Sequence, residues 1–189
     1  MAVVLTSDPI VSEQMVLEML SLSGDKARAY INAVSGLFMQ YTSRSRITKG
    51  DVTDKQVAPP PHYPVLWLRA TPIDEITSVK VYRYGDLVDT LTSDEYTLNE
   101  ETGRMVLEVN VAGYYHPEQV IHVAYSGGWE DVPGNVQHSA LEMVRLQKQR
   151  LEGRVGVTSE SREGYAATYD PAAVPQSIAD IWRAYRVYS

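Results

Sequence analysis

The spacing of apolar residues predicts two helices in the first part of the chain. Segments 11–22 and 25–44 carry an apolar residue at every third or fourth position, which places these residues on one helical face. Ser12 or Asp8 is suited to cap the first helix. The first stripe comprises Val11, Met15, Met19 and Leu22. The second comprises Ala27, Ile31, Val34, Phe38 and Tyr41. We therefore predict a helical block over residues 11–44.

Glycine and proline mark two irregular points in and after this block. Gly36, inside the second predicted helix, costs about 1 kcal/mol relative to alanine, so a close helix contact would be a reason to keep it. Residues 47–64 then read as a connector. Its stretch "APPPHYP" cannot be helical, because proline lacks the amide donor and forces the preceding residue into extended geometry. We expect a stiff, extended spacer there.

Residues 65–125 have the composition of short β-strands. The segments "VLWLRA" and "ITSVKVYRY" are rich in β-branched and aromatic residues, and the second alternates well between two faces. Turn residues in "YGDLV" and around Asn99 to Gly103 separate further strand candidates, and "QVIHVAY" closes the set. Four or five short strands with turns between them predict an antiparallel sheet or a small barrel-like insertion.

The end of the chain returns to helical spacing. Pro133 lies near the start of a helix predicted over residues 133–153. Its apolar stripe comprises Val136, Ala140, Met143, Val144 and Leu151. A short final helix is predicted within residues 175–188. Its apolar side comprises Ile178, Ile181, Trp182 and Tyr185. Between the two helices lies the polar stretch "GVTSESREGYAATYDP".

These blocks together predict an α+β fold. The order of elements is helices, then sheet, then helices, which favours a helical bundle with an inserted antiparallel sheet. Residues 156–189 would add a C-terminal arm and a short helix. A chain of 189 residues is long enough for one domain of this kind, so we predict a single domain over residues 1–189.

Composition excludes several classes of function. The chain has no cysteine, so disulfides, thiolate catalysis and cysteine-ligated metals are excluded. The formal net charge of −7 argues against tight binding to nucleic acid, which usually needs a basic excess. No run of apolar residues approaches the roughly 18 needed to cross a bilayer, and no secretory signal is visible, so we expect a soluble protein.

A search for reaction chemistry gives little. The four histidines form no HxxxH or HExxH pair, which leaves a metal site unsupported. The adjacent carboxylates Asp74–Glu75 and Glu100–Glu101 point to different faces, so we interpret both pairs as solvated turns. Ser159 has no GxSxG elbow and no nearby histidine to activate it. We therefore predict no catalytic residue, no metal and no cofactor.

Two clusters are candidates for binding. The basic stretch "SRSRITK" contains Arg44, Arg46 and Lys49, which would contact phosphate or an acidic partner, or else complement the carbonyl end of a helix. The last helix concentrates residue types that are enriched at interface hot spots. These candidates are Trp182, Arg183, Tyr185, Arg186 and Tyr188. The alternative for Trp182 is burial in the core of its own chain.

The order of several short motifs resembles the head–tail connector proteins of tailed bacteriophages, also called adaptor or head-completion proteins. The similar segments run from Ala29 to Arg186. They are "AYINAVSGLFMQYTSR", "LWLRATPIDEITSVKVY", "DEYTLNEETGRMVL", "VIHVAYSGGW", "VPGNVQHSALEMV" and "GVTSESREGYAATYD". The chain departs from the family pattern in the longer proline stretch and at Arg162–Glu163, where a more apolar pair is common.

The resemblance implies a structural role in the virion, with synthesis in the host bacterial cytoplasm. It implies a ring, usually of twelve copies, that binds the portal protein, extends the channel and gives a downstream neck or tail-completion protein a platform. Double-stranded DNA would pass through without specific binding, and no membrane is involved. The C-terminal helix would contact the portal, and the polar arm would order on assembly. The implied arm residues are Thr158, Ser159, Glu160, Ser161, Tyr165 and Tyr169.

Two other functions stay open at the level of the sequence. The chain could be a monomeric binding module that takes up a partner strand at a sheet edge. A small hydrolase that uses Ser159 or the acidic turns would need a pocket and a base that the sequence does not display.

Overall fold

The structure is a computed structural model, and it describes residues 3–60, 62–108, 118–151, 159–162, 165–168 and 174–187. For residues 151, 159–162 and 165–168 it describes the backbone alone. Helices and antiparallel strands alternate in blocks along the chain, which confirms the predicted α+β class. The chain divides into two compact units. Residues 1–38 and 132–185 form unit 1, and residues 39–131 and 186–189 form unit 2. The single domain predicted over residues 1–189 stays a prediction.

Four helices are present among the described residues. They are α1 (Glu13–Leu20), α2 (Gly24–Thr42), α3 (Gly134–Leu151) and α4 (Gln176–Arg183). Ser12 caps α1, since its hydroxyl accepts a 3.2 Å hydrogen bond from the amide of Met15. The carbonyl of Pro133 accepts the amides of Val136 and Gln137, which confirms the predicted position of this proline at the start of α3.

The apolar stripe predicted for α2 is confirmed, whereas that of α1 is wrong in part. Ala27, Ile31, Val34 and Phe38 are fully buried in unit 1. In α1 the fully buried residue is Val16, and Met19, which was predicted to face the core, is 64% exposed. Eight residues form little more than two turns, so a one-residue error in register changes which side chain faces inward. The expected close contact at Gly36 is also wrong, because an added Cβ there would meet nothing within 4 Å.

The described residues of unit 2 form two antiparallel sheets. Its strands are β1 (Gly50–Val57), β2 (Val65–Trp67), β3 (Ile73–Arg83), β4 (Asp86–Leu91), β5 (Tyr96–Asn99), β6 (Arg104–Leu107) and β7 (Gln119–Gly127). One sheet has the order β1-β7-β3-β4 and the other has the order β2-β6-β5. The sequence predicted four or five strands and interpreted residues 47–64 as a connector. The structure corrects this, because the connector contains β1, which pairs along its full length with β7.

The core of unit 2 joins side chains of both sheets. Val79, Val81, Ile121 and Val123 come from the four-stranded sheet, and these residues alternate with more exposed ones along β3 and β7. Leu66, Met105 and Leu107 come from the three-stranded sheet. Sheets with one apolar face bury it against another layer, which explains why the predicted sheet appears as two layers here.

The polar stretch after α3 contains a hairpin. Strands β8 (Ser159–Arg162) and β9 (Tyr165–Thr168) pair antiparallel, with Ser159 opposite Thr168 and Arg162 opposite Tyr165. The sequence predicted a polar arm at this position that orders on assembly. A two-stranded hairpin by itself is marginally stable in water, so its persistence depends on what it packs against.

Candidate partner-binding surfaces

Helix α4 is attached to unit 1 through a buried tryptophan. The carbonyl of Pro175 accepts the amides of Ile178 and Ala179, which fixes the first turn. Trp182 is 0% exposed, and its indole N–H donates a 2.9 Å hydrogen bond to Ser139 Oγ on α3. The Ser139 hydroxyl in turn donates to the carbonyl of Val136 at 2.8 Å. The ring of Phe38 meets the Trp182 ring edge to face, with centroids 5.3 Å apart.

These contacts correct the prediction for Trp182. A side chain that is fully buried and hydrogen-bonded within its own unit has no surface left for a partner. The alternative named for this residue, burial in its own core, describes its position. The Ser139 hydroxyl is buried and donates its proton to a backbone carbonyl, so no general base takes that proton to make it a nucleophile.

The other predicted C-terminal contact residues lie at the surface. Arg183 is exposed and forms an ion pair with Asp180, one helical turn earlier, at 3.1 Å. The Tyr185 hydroxyl donates to Asn135 Oδ1 at 2.9 Å, which leaves its ring partly exposed. Arg186 is exposed and belongs to unit 2. Tyr188 lies outside the described residues. Exposed arginines and a partly exposed tyrosine are side chains that a protein partner can use.

A shallow cavity of about 270 Å³ separates α3 from α4 in unit 1. Its lining includes the apolar side chains of Leu146, Ile178 and Ile181. His138, Ser139, Glu142, Pro175 and Ser177 complete the lining. This volume suits an inserted side chain of a partner better than a substrate, because ligand pockets usually start at about 300 Å³.

The basic cluster is used largely inside unit 2. Arg44 is 9% exposed, its guanidinium lies over the ring of Trp129 at 4.1 Å from the centroid, and it donates to the carbonyl of Thr71. The predicted phosphate or partner contact is therefore wrong for Arg44, since its charge is satisfied in the interior. Arg46 is partly exposed and donates to the carbonyl of Thr48 at 2.8 Å.

Lys49, the third member of the cluster, is exposed but paired. Its ammonium lies 3.1 Å from Asp74 Oδ2. The hydrogen bond that Lys49 donates to Asp74, together with the negative charge of Asp74, raises the pKa of Lys49. A paired lysine at the surface retains its charge but presents a nearly neutral local field, because the carboxylate offsets it. The structure does not gather Arg44, Arg46 and Lys49 into one cationic surface.

A buried polar network in unit 2 escaped the sequence analysis. Asp54 on β1 is 1% exposed, and its Oδ2 accepts the Tyr125 hydroxyl at 2.8 Å and the Arg69 amide at 2.8 Å. Arg69 also donates to Asp54 Oδ1 at 3.2 Å. The Tyr125 hydroxyl accepts the amide of Ala70 at 2.9 Å. This network joins β1, β7 and the segment after β2, so its role is structural.

Burial raises the pKa of the Tyr125 hydroxyl well above its ordinary value, and the charge of Asp54 raises it further. The phenol therefore stays protonated and donates its proton to the carboxylate. The sequence carries little indication of this network. Asp54 lies in a run of polar residues, which gave no reason to predict a strand or a buried carboxylate there.

The predicted arm residues fall partly within the described chain. Ser159, Glu160 and Ser161 lie in β8, and Tyr165 begins β9. Thr158 and Tyr169 lie outside the described residues. Register places Glu160 opposite Ala167 and Ser161 opposite Ala166. Their assignment to a subunit or portal contact stays a prediction.

Other site chemistry is missing from the part of the chain that the structure describes. Within it, no three His, Asp or Glu side chains come together as a metal site would require. No helix among the same residues has both the length and the apolar character to cross a membrane.

Comparison with solved structures finds the same fold in gene transfer agent (GTA) particles. A chain of the neck of an empty GTA particle, computed with C6 symmetry, matches with a TM-score of 0.60 and 13% identity, over 98% of this chain and 94% of that one. A chain in the virion of the native GTA particle matches with a TM-score of 0.60 and 13% identity, over 97% and 94%. A chain of the native GTA neck, computed with C12 symmetry, matches with a TM-score of 0.58 and 10% identity, over 98% and 94%.

The likeness covers nearly the whole of both chains, and at these identities it concerns the fold. No protein-family profile matches the chain, and no curated protein sequence matches it.

Proposed function

We propose that this chain is a structural neck protein of a tailed phage or phage-like particle. On this proposal, copies form a ring under the portal, extend the DNA channel and give a downstream neck or tail-completion protein a platform. The observation that supports it most is the near full-length fold likeness to chains of GTA particles, two of them from the neck. The order of motifs between Ala29 and Arg186 supports it independently.

A ring of twelve copies is the form that we propose. The GTA necks whose chains resemble this one were computed with C6 and C12 symmetry. Contacts that run head to tail between copies close into a ring when the rotation permits. Each copy then contributes the same surface to the portal and the same surface to the next protein of the neck.

The electrostatics suit a channel that DNA passes without binding. The net charge is −7, and Arg44 and Lys49 are paired within unit 2. A net negative charge disfavours the retention of phosphates, because tight binding to DNA usually needs a basic excess that releases counterions. We accordingly propose no catalytic group, no cofactor and no sequence-specific DNA contact.

The exposed part of the C-terminal segment is the proposed portal contact. Arg183, Tyr185 and Arg186 carry it, while Trp182 holds α4 in place from the inside. The hairpin of β8 and β9 is proposed as a further subunit or portal contact. These surfaces need no enzyme chemistry and are consistent with a partner that is itself a protein.

Negative-stain electron microscopy tests the proposal. The purified protein is mixed with a candidate portal ring, and particles are classified by the number of stacked layers. We expect one added layer on the portal. A bare portal, with this protein remaining monomeric in the same mixture, would contradict the proposal and favour a monomeric binding module.

A further inference from the structure

The outward face of the four-stranded sheet carries side chains in ordered rows. Register pairs Val57 with Val120, Val120 with Tyr82, and Tyr82 with Leu87 across β1, β7, β3 and β4. The buried residues of β7 are those that alternate with Val120, so this row points away from the core. Val57 is 64% exposed and Leu87 is 54% exposed. These four residues, Val57, Val120, Tyr82 and Leu87, are called the apolar row.

A basic row lies beside the apolar row on the same face. It lies two residues from the apolar row on each of β1, β7 and β3. In it, Lys55 pairs with His122, and His122 pairs with Lys80. The ring of His122 stacks on that of Tyr82 at 4.3 Å between centroids, which joins the two rows. Asp51 and Glu75, each paired with Ser126, lie at the opposite end of this face. An acidic and apolar partner would therefore dock at the apolar end.

The exposed large apolar side chains of the described residues fall into two groups. One belongs to unit 2 and includes Val57 and Leu87 of the apolar row, together with Tyr63, Tyr84 and Val88. The other belongs to unit 1 and comprises Val4 and Met19. Met19 lies on α1, next to the exposed Glu18, and α1 contains no basic residue. Glu18 beside Met19 is complementary in charge to the two lysines beside the apolar row, and Lys148 is already bound to the carbonyl of Leu20 at the end of α1. A head-to-tail contact joins two different surfaces of this kind.

We propose that α1 of one copy docks on the apolar and basic rows of the neighbouring copy. This inference rests on the proposed function and deepens it, because it assigns the subunit contact of the ring. Met19 would lie on the apolar row, and Glu18 would face Lys80 and Lys55. The dimensions agree: eight helical residues span about 12 Å, and a row across four strands spans about 14 Å.

A disulfide ladder tests the contact. The chain has no cysteine, so the double variant M19C/L87C carries only the introduced thiols. Oxidised on the portal, it should give a ladder of covalent multimers, while each single variant stops at dimers. The matched control M19C/T97C places the second thiol at an exposed position of the three-stranded sheet and should give no ladder.

A charge exchange tests the same contact without cross-linking. The single variants E18K and K80E should each weaken self-association by about tenfold or more, because each puts like charges together. The double variant E18K/K80E should restore it, which a merely structural effect would not do. Unit folding is checked by circular dichroism on every variant.

The outcomes separate this contact from the neck role. An added layer on the portal without a ladder would overturn the contact and leave the neck role intact. If K80E loses portal binding while E18K retains it, the rows bind another protein. That result would overturn the proposal that a second copy of this chain docks there. The absence of any ring on the portal would overturn both proposals.

Discussion

The indole N–H of Trp182 donates a 2.9 Å hydrogen bond to the hydroxyl of Ser139, which lies 43 residues earlier in the chain. This bond, together with the edge-to-face contact on Phe38, holds α4 on unit 1. Arg183 and Asp180 remain exposed on the other side of the helix. The buried side of α4 is therefore structural, and its exposed side is available to a partner.

Replacing Trp182 by alanine should cost about 3–5 kcal/mol of unfolding free energy, as a large buried aromatic side chain does. Ser139→Ala should cost about 1–3 kcal/mol, because it leaves the indole N–H buried without an acceptor. Denaturant unfolding followed by tryptophan fluorescence measures both. The control Ser177→Ala, at an exposed position of α4, should change stability by less than about 0.5 kcal/mol. Equal losses for Ser139→Ala and Ser177→Ala would contradict the assignment.

Two glycine-to-alanine substitutions should have opposite effects. At Gly127 an added Cβ would overlap the carbonyl oxygen of Ala70, which is backbone and cannot move aside. Overpacking of this kind costs about 1–3 kcal/mol or more. At Gly36 the Cβ would meet nothing within 4 Å, so alanine should stabilise α2 by about 0.5–1 kcal/mol. The melting temperatures of the two variants test this prediction. A higher melting temperature for Gly127→Ala would contradict the close approach of Gly127 to the carbonyl of Ala70.

The Tyr125 hydroxyl should make stability fall at alkaline pH. Its pKa is raised in the folded protein, mainly by burial, so above its ordinary pKa of about 10 the unfolded chain loses this proton while the folded chain retains it. Unfolding free energy is therefore at its full value below pH 10 and declines above it. Tyr125→Phe should lower stability by about 1–3 kcal/mol at neutral pH and should show a shallower decline above pH 10. Parallel alkaline declines in both proteins would contradict the buried hydrogen bond to Asp54.

Charge reversal at the exposed C-terminal arginines should weaken portal binding. The double variant R183E/R186E retains Trp182 and its contacts in unit 1, unlike a deletion of residues 175–189, which would remove Trp182 with the whole of α4. Interface arginines commonly contribute about 2 kcal/mol or more, so the loss should be about tenfold or greater. The control K26E/R104E changes net charge equally at exposed positions on α2 and β6. Sedimentation with the portal measures both, and equal binding by the two variants would remove α4 from the contact.

The sequence predicted the helices better than the strands, for a physical reason. The stripe predicted for α2 spans about four turns, so its period is clear, and its members Ala27, Ile31, Val34 and Phe38 are buried. Strand β1, "GDVTDKQV", has an aspartate as its most buried residue, because Tyr125, 71 residues later, satisfies the carboxylate. No pattern within eight residues indicates a partner that far away.

The sequence could predict which residue types the candidate surfaces contain, but not which side chains are exposed there. Trp182, Arg183 and Tyr185 are residue types of an interface, but which of them faces inward depends on Ser139 and Phe38. The apolar and basic rows were not predicted, because they come from four strands, one of them interpreted as a connector. Side chains in such a row are neighbours through register and are separated in sequence.

The mass of the complex with the portal tests the central claim most directly. Native mass spectrometry of the portal before and after saturation gives the number of chains added. The ring account predicts an increase of twelve chain masses per portal, in one step, with few intermediate species. An increase of a single chain, or none at saturating concentration, would contradict it.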